Sequence, residues 1–210
     1  MTEREPLDPR YFTRQDESPD PLFYDEPRFT VHIDDGAIAA TTAIYRELLP
    51  EDGIVLDLMS SWRSHLPADV SFMEVVGLGL NAREMEENPQ LDTVVVHDLN
   101  ADPVLPFGDE TFDGAVVTVS VQYMTRPVET FREVNRVLRS GAPFVLTYSN
   151  RCFPTKAIAA WLSTTEQQHA NIIATYFQES GNWRDVYAPD RSPRGAAPPH
   201  PPSAVWAWKL

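Results

Sequence analysis

Residues 54–62 read Ile-Val-Leu-Asp-Leu-Met-Ser-Ser-Trp, an apolar run of strand length that ends in an acid and a pair of serines. Four more apolar runs of strand length follow, and helical patterns separate them. Near-continuous Val, Ile and Leu is typical of strands that are buried on both faces, as in a parallel sheet. The five predicted strands are 54–58, 74–80, 93–97, 112–121 and 143–148.

Apolar residues at three-four spacing predict the helices between these strands. One stripe precedes the first strand and another precedes the fifth, where Gly141 is expected to cap the helix end. The stripes are Thr41, Ile44, Tyr45 and Leu48, and Val128, Phe131, Asn135 and Leu138. Strands that alternate with helical crossovers along the chain predict a doubly wound α/β domain.

Two helices are expected after the fifth strand. The spacing of Ser163 and Glu166 fits a capping box, so a long helix is predicted from Ser163 to Gly181. A shorter helix is expected over residues 155–161, where it would roof a pocket.

The flanks of the chain differ in composition from its centre. Residues 1–35 hold ten acids, four Arg and five Pro, which predicts an irregular acidic arm. Its aromatic residues favour a lid or belt against the domain, with a disordered leader as the alternative. Residues 36–210 are predicted to form one domain, in which six prolines make 188–203 an irregular loop.

Composition excludes several classes of function. The chain has 31 Asp plus Glu against 17 Lys plus Arg, and a formal charge of −14 repels nucleic acid and anionic membranes. Its single Cys excludes an internal disulfide, and neither a signal peptide nor a membrane-spanning run is expected from the sequence. We therefore expect a cytoplasmic protein with a small-molecule substrate, although a protein partner stays open.

Ligands of open α/β sheets bind at the carboxyl ends of the strands, so the loops there decide the function. The first strand ends in Leu-Asp-Leu, and residues 98–113 read Asp-Leu-Asn-Ala-Asp-Pro-Val-Leu-Pro-Phe-Gly-Asp-Glu-Thr-Phe-Asp. Residues 131–141 read Phe-Arg-Glu-Val-Asn-Arg-Val-Leu-Arg-Ser-Gly. Over about residues 40–150, the order and spacing of these pieces resemble the class I S-adenosylmethionine-dependent methyltransferase superfamily.

The resemblance implies a Rossmann-like, seven-stranded, mostly parallel sheet with helices on both faces. Residues 183–187 and 204–208 would be its antiparallel edge strands. It also implies S-adenosyl-L-methionine as the cofactor and methyl transfer as the reaction. Enzymes of this kind work mainly by positioning, so few catalytic side chains are expected.

This sequence departs from the family pattern at two places. The first loop is normally rich in glycine, but here it reads Met59-Ser60-Ser61-Trp62-Arg63. The resemblance also places Gly79 where the family has the acid that holds both ribose hydroxyls. In the first loop, the serine hydroxyls are expected to bond the amino or carboxylate group of the cofactor, and Arg63 is available to pair with that carboxylate. Asn81 is expected to take over part of the task of the missing acid.

The candidate cofactor-binding residues follow from these motifs. Asp57 would orient the first loop and the ammonium group of the cofactor. The alternative is that its carboxylate only caps a neighbouring backbone group. Asp98, which follows the third strand, would bind the amino group and ring edge of adenine together with Leu99 and Asn100. The alternative is that these residues form a plain turn. The full predicted set is Asp57, Met59, Ser60, Ser61, Asn81, Asp98, Leu99, Asn100 and Ser120.

The candidate catalytic residues are His65, which would accept a proton from the substrate, and Tyr123, at the reactive face after the fourth strand. Gln122, Asn150 and Arg151 are predicted to contact the substrate. A structural role is the alternative for each of these residues. No spacing of His, Cys and Asp predicts a metal site.

Two functions of different class therefore remain. The leading one is a small-molecule methyltransferase, and the alternative is a catalytically degenerate methyltransferase fold that binds a ligand or a protein. A different nucleotide is disfavoured, because no Gly-x-Gly-x-x-Gly or Gly-Lys-Ser/Thr loop is present.

Overall fold

The computed structural model describes residues 7–188 and 203–210. Its strands are β1 (Ile54–Leu58), β2 (Glu74–Gly79), β3 (Thr93–Val96), β4 (Gly114–Thr118), β5 (Pro143–Tyr148), β6 (Trp183–Tyr187) and β7 (Ser203–Lys209). They form one sheet in the order β3-β2-β1-β4-β5-β7-β6, in which only β7 runs antiparallel to its neighbours. This sheet confirms the predicted fold class. Both strands predicted after residue 150 form, but only β7 is antiparallel to β5, and it lies between β5 and the edge strand β6.

Helices cover both faces of the sheet. They are α1 (Asp20–Phe23), α2 (Asp35–Leu48), α3 (Ala82–Glu86), α4 (Pro127–Val137), α5 (Ala159–Leu162) and α6 (Glu166–Ser180). Because side chains of a strand alternate between faces, Leu56 and Leu58 join the larger core with α4 and α6. Val55 faces the other way and joins the smaller core with α2.

Several predicted boundaries were wrong. Ser163 ends α5, where its Oγ donates to Ala159 O, and the capping box that starts α6 is formed by Thr165 and Gln168. Strand β4 is shorter than expected because the backbone turns left-handed at Val119, with φ of 46°. Gly141 lies in the turn before β5, three residues beyond the end of the helix cap.

The predicted short helix is also displaced, because α5 begins at Ala159 and residues 155–158 precede it as irregular backbone. The acidic arm contains α1 and a 3-10 turn at Pro9–Phe12 in its described part. Residues 1–6 of that arm, and 189–202 of the predicted proline-rich loop, lie outside the described residues.

Buried charges attach the arm to the segment after β5. Lys156 is fully buried, and its Nζ lies 3.2 Å from both Asp16 Oδ2 and Asp20 Oδ1. Asp20 also accepts from Arg14 Nη1 at 2.7 Å, and both of these side chains are almost fully buried. A buried charge is stable only when it is paired, so this cluster fixes the arm on the domain.

The described part of the chain contains no helix with both the length and the apolar character needed to cross a bilayer. Within residues 7–188 and 203–210, no three His, Cys, Asp or Glu side chains form a group suited to hold a metal ion.

Candidate active site

A cavity of about 390 Å³ lies at the carboxyl ends of β1 to β5. Strand order reverses between β1 and β4, so the cavity is at the topological switch point where open α/β sheets bind ligands. The loops after the strands line it together with arm residues Tyr24, Arg28 and 30–33. Its volume is within the usual range for a small-molecule site.

Asp57, the acid that ends the apolar run of β1, is buried at the cavity wall. Its Oδ2 accepts hydrogen bonds from Ser60 Oγ and Ser64 Oγ, each at 2.6 Å. Burial nevertheless raises the pKa of this carboxyl to about 6, since desolvation outweighs the two hydroxyl donors. Asp57 therefore holds the first loop in place through its hydrogen bonds with Ser60 and Ser64.

The raised pKa of Asp57 makes its contribution to stability dependent on pH. The folded state favours the protonated form, so this contribution is fully present below about pH 4 and is lost as the pH rises through about 6. An Asp57→Asn variant stays neutral, so its stability relative to the parent should increase by about 2–3 kcal/mol from pH 4 to pH 8. Urea unfolding of both proteins across this range measures the difference, and a difference that is flat with pH would contradict the assignment.

The first loop replaces glycine with larger residues. Met59 adopts a left-handed backbone with φ of 57°, a conformation that costs a residue with a side chain about 1–2 kcal/mol. Trp62 packs against the arm, where its Nε1 donates to Thr30 O at 3.1 Å and its ring meets Phe29 edge-on. Met59, Ser60 and Ser61 line the cavity as predicted.

The sequence suggested that the guanidinium of Arg63 would pair with the cofactor carboxylate, but in the structure it contacts Trp62. Its Nη1 donates to Trp62 O at 2.6 Å, and the group stacks 3.8 Å from the Trp62 ring centre. Arg63 also lines the cavity, but its main contacts stabilise the first loop.

Gly79 ends β2 at the position where the resemblance places the ribose-binding acid. A side chain here is sterically excluded, because a Cβ would overlap Ser60 O and lie 3.0 Å from Met85 Sδ. The first loop is held in that place by a hydrogen bond from Ser60 N to Leu78 O, at 2.8 Å. The glycine is thus required by the path of the first loop.

Asn81 lines the cavity, but its side chain is already committed. Its Oδ1 caps α3 by accepting from Glu84 N at 3.0 Å, and its Nδ2 donates to Tyr24 O and Asp25 O of the arm. Asn81 therefore holds the arm to α3, and that it takes over part of the task of the missing acid stays a prediction.

Glu84 is a cavity residue that the sequence did not indicate. Its side chain is buried in the cavity wall, where Oε1 accepts from Arg28 N at 2.6 Å and Oε2 accepts from Ser61 Oγ at 2.5 Å. Along the chain it lies in the polar run Ala-Arg-Glu-Met-Glu-Glu, which resembles any exposed helix. Only the contacts with the arm and the first loop distinguish it.

Asp98, Leu99 and Asn100 follow β3 and all line the cavity. Asp98 Oδ1 accepts from Asn100 N and Ala101 N, as in a polar turn, whereas its other oxygen takes no hydrogen bond from the described residues. Asn100 uses both of its amide hydrogens, because its Nδ2 donates to Asp20 Oδ2 and Tyr123 O, and its Oδ1 accepts from Thr125 N. Asn100 joins the arm to the sheet, and Asp98 keeps acceptor capacity for a ligand.

The loop after β4 brings Val119 and Ser120 to the cavity wall. Ser120 Oγ donates to Thr118 O at 2.8 Å, which leaves its lone pairs available as acceptors. Ser120 therefore lies at the cavity with a hydroxyl oxygen that can accept a hydrogen bond from a ligand.

His65 lines the same cavity, at the far end of the first loop. Its backbone is left-handed, with φ of 58°, and Thr42 Oγ1 donates to its carbonyl at 2.9 Å. Burial, with a smaller effect of the nearby Arg63, lowers the pKa of the imidazole below its usual value. The ring is therefore neutral at pH 7, which is the form that accepts a proton.

Tyr123 also lines the cavity, but burial raises the pKa of its phenol to about 12. Its hydroxyl accepts from Phe153 N at 2.8 Å, and the two rings stack 6.0 Å apart. Tyr123 thus remains protonated at neutral pH and is suited to donate a hydrogen bond, not to remove a proton.

Of the three predicted substrate contacts, only Arg151 lines the cavity. Gln122 is fully buried and turns inward, where its Nε2 donates to Val119 O at 2.8 Å. Asn150 is exposed and lies outside the cavity lining. Neither Gln122 nor Asn150 is in a position to contact a ligand in this cavity.

The arm supplies residues that the motifs did not indicate. Arg28 sits over the Phe23 and Phe153 rings, 4.6 and 5.5 Å from their centres, and His32 packs edge-on against Phe153. These contacts connect the arm to the loop after β5 across the cavity. The aromatic content of the arm was the available signal, but it could not identify the partners.

Comparisons with known proteins agree with this geometry. A family model described as a methyltransferase domain matches residues 61–146. A curated relative, the biotin biosynthesis bifunctional protein BioHC of Teredinibacter turnerae, is 34% identical over 67 residues, which are 32% of this chain and 12% of that protein. The match thus spans about an eighth of the relative's length.

Two solved structures share the fold. One is the putative methyltransferase of Haloferax volcanii in complex with the Trm112 methyltransferase activator, with a TM-score of 0.64 at 12% identity over 83% of this chain and 90% of that one. The other is a methyltransferase of Thermotoga maritima described as a possible histamine N-methyltransferase, with a TM-score of 0.56 at 14% identity over 83% and 91%.

The sheet order and the likeness to these solved structures show the Rossmann-like fold of class I methyltransferases, with the cavity at its switch point. The family model covers residues 61–146 of the 210, and the Thermotoga maritima structure is described as an S-adenosylmethionine-dependent methyltransferase.

Proposed function

We propose that this protein is an S-adenosylmethionine-dependent methyltransferase that acts on a small molecule. The observation that carries the proposal is the cavity of about 390 Å³ at the switch point, lined by the strand-end loops and by the arm. A lining that includes the arm favours a compact substrate over a macromolecular one. The charge of −14 likewise disfavours nucleic acid as the substrate. A cytoplasmic location is part of this proposal.

The side chains of the cavity fit the chemical groups of this cofactor. Asp98 offers a free carboxylate oxygen for the adenine amino group, and Ser60 and Ser61 place hydroxyls beside the strand end where the methionine part would lie. Met59 adopts the left-handed backbone conformation that glycine favours, with φ of 57°.

When bound, S-adenosylmethionine supplies a methyl group on a sulfonium sulfur for attack by a nucleophile of the substrate. His65 is proposed to accept the proton that the nucleophile loses, because its imidazole is neutral and lines the cavity. Tyr123 would orient the substrate as a hydrogen-bond donor, and Arg151 would attract an acidic group on it.

Thermal unfolding with S-adenosylhomocysteine, the demethylated product, tests the cofactor site. At about one hundred times its dissociation constant, the ligand should stabilise the native state by about 2.7 kcal/mol and raise Tm by roughly 5–10 °C. Adenosine triphosphate at the same concentration is the control, since it shares the adenosine part but not the amino-acid part. An unchanged Tm with both S-adenosylmethionine and its product would contradict the proposal.

A catalytically degenerate protein that binds a ligand or a protein is the second candidate. The replacement of loop glycines by Met59 and Trp62 favours it. Transfer of a labelled methyl group to candidate acceptors separates the two, because a degenerate protein would bind the cofactor without turnover.

A further inference from the structure

We propose that Glu84 binds the ribose hydroxyls of the cofactor, in place of an acid at the end of β2. The inference rests on the proposed function, because it assigns a residue to the cofactor of that reaction. It arises from the steric exclusion at Gly79 and from the buried carboxylate of Glu84 on the same side of the cavity.

The end of β2 has no room for the usual acid. The carbonyl of Ser60 occupies the space into which a side chain at Gly79 would extend, and the hydrogen bond from Ser60 N to Leu78 O fixes that arrangement. A cofactor in this cavity therefore needs its ribose acceptor from another element.

Glu84 is the carboxylate available on this side. It projects from α3, the helix that directly follows β2, and lines the cavity although only 7% of the residue is exposed. Asn81 caps α3 and holds the arm, and Asp57 lies on the neighbouring strand β1, where it holds Ser60 and Ser64 of the first loop.

The carboxylate of Glu84 is fixed in position and keeps acceptor capacity. Arg28 N holds one oxygen and Ser61 Oγ holds the other. An ionised carboxylate accepts about four hydrogen bonds, so roughly two acceptor sites remain, one on each oxygen. Two acceptors on adjacent oxygens match the two adjacent hydroxyls of a ribose.

The competing role for Glu84 is that of a clamp between the arm and the first loop. A clamp would lower affinity for every ligand of the cavity by the same factor, whereas a ribose contact would act only on ligands that carry the hydroxyls. The two roles are therefore separated by comparing matched ligands, not by the loss of binding alone.

The experiment measures dissociation constants of S-adenosylhomocysteine and its 2′-deoxy analogue by calorimetry. In the parent protein, loss of the hydroxyl should weaken binding by about ten- to a hundredfold, as for a hydrogen bond to a charged group. In Glu84→Gln this discrimination should fall to a few-fold or less. Glu86→Gln, an exposed acid on the same helix, is the matched control and should retain the full discrimination.

Retention of the full discrimination in Glu84→Gln would overturn the proposal, and so would a parent protein that binds both ligands equally. If the parent binds neither ligand, the proposed function itself fails. Should Glu84→Gln not fold, Glu84→Asp keeps the charge but withdraws the carboxylate by one methylene. This variant should lose most of the discrimination.

Discussion

Replacement of Asp20 by alanine should lower the free energy of unfolding by about 3–5 kcal/mol, because it leaves the buried charges of Lys156 and Arg14 without their shared partner. In a domain of this size, Tm should fall by roughly 6–20 °C. Asp16 reaches Lys156 as well, but it is partly exposed and compensates only one of the two cations. Urea unfolding followed by circular dichroism measures the change.

An exposed ion pair provides the matched control. Arg46 and Asp69 are 2.6 Å apart, but both side chains are largely exposed, so Asp69→Ala should cost no more than about 1 kcal/mol. Similar losses in Asp20→Ala and Asp69→Ala would show that the buried cluster does not anchor the arm. Because Asp20 also accepts from Asn100 Nδ2 at 2.7 Å, its loss should weaken cofactor binding as well.

Replacement of Gly79 by alanine should cost about 3 kcal/mol or more, since the new Cβ would overlap the backbone carbonyl of Ser60. Backbone cannot move aside like the end of a side chain, so the first loop or β2 must shift. The same shift should weaken binding of S-adenosylhomocysteine, because Ser60 and Gly79 both line the cavity. Unfolding and binding measurements on one preparation test both effects.

Gly77, in the same strand, is the control for this substitution. A Cβ there would meet the side-chain end of Leu91, which can change its rotamer. Gly77→Ala should therefore cost about 1 kcal/mol and leave ligand binding close to that of the parent. If Gly79→Ala is as mild as Gly77→Ala and binds normally, the steric account of the missing acid is wrong.

These predictions also connect the arm to the function. Arg28 N positions Glu84, Asn81 holds Tyr24 and Asp25, and the charge cluster fixes the arm beyond them. The arm thus contributes to the walls of the cavity and does not merely cover it. Variants that loosen the arm are expected to affect affinity and stability together.

The periodicity of the sequence was sufficient to predict the sheet. Continuous apolar runs identify strands buried on both faces, and this property depends on each strand alone. The positions of Asp57, Asp98, Ser120 and His65 at the cavity followed from the rule that strand ends carry the site. Helix ends were less predictable, since Ser163 and Thr165 both offer the chemistry of a cap and packing selects between them.

Sequence patterns alone were enough to predict the fold class, the end of the strands that carries the cavity and the missing acid at Gly79. The contacts of the folded domain were needed to show that Asn81 and Asn100 hold the arm, that Glu84 reaches the cavity and that Lys156 is buried among arm acids. The reason is physical: a local pattern fixes which face a residue presents to the core. The partner of a polar side chain depends on segments far away in the chain, which meet only when the domain has folded.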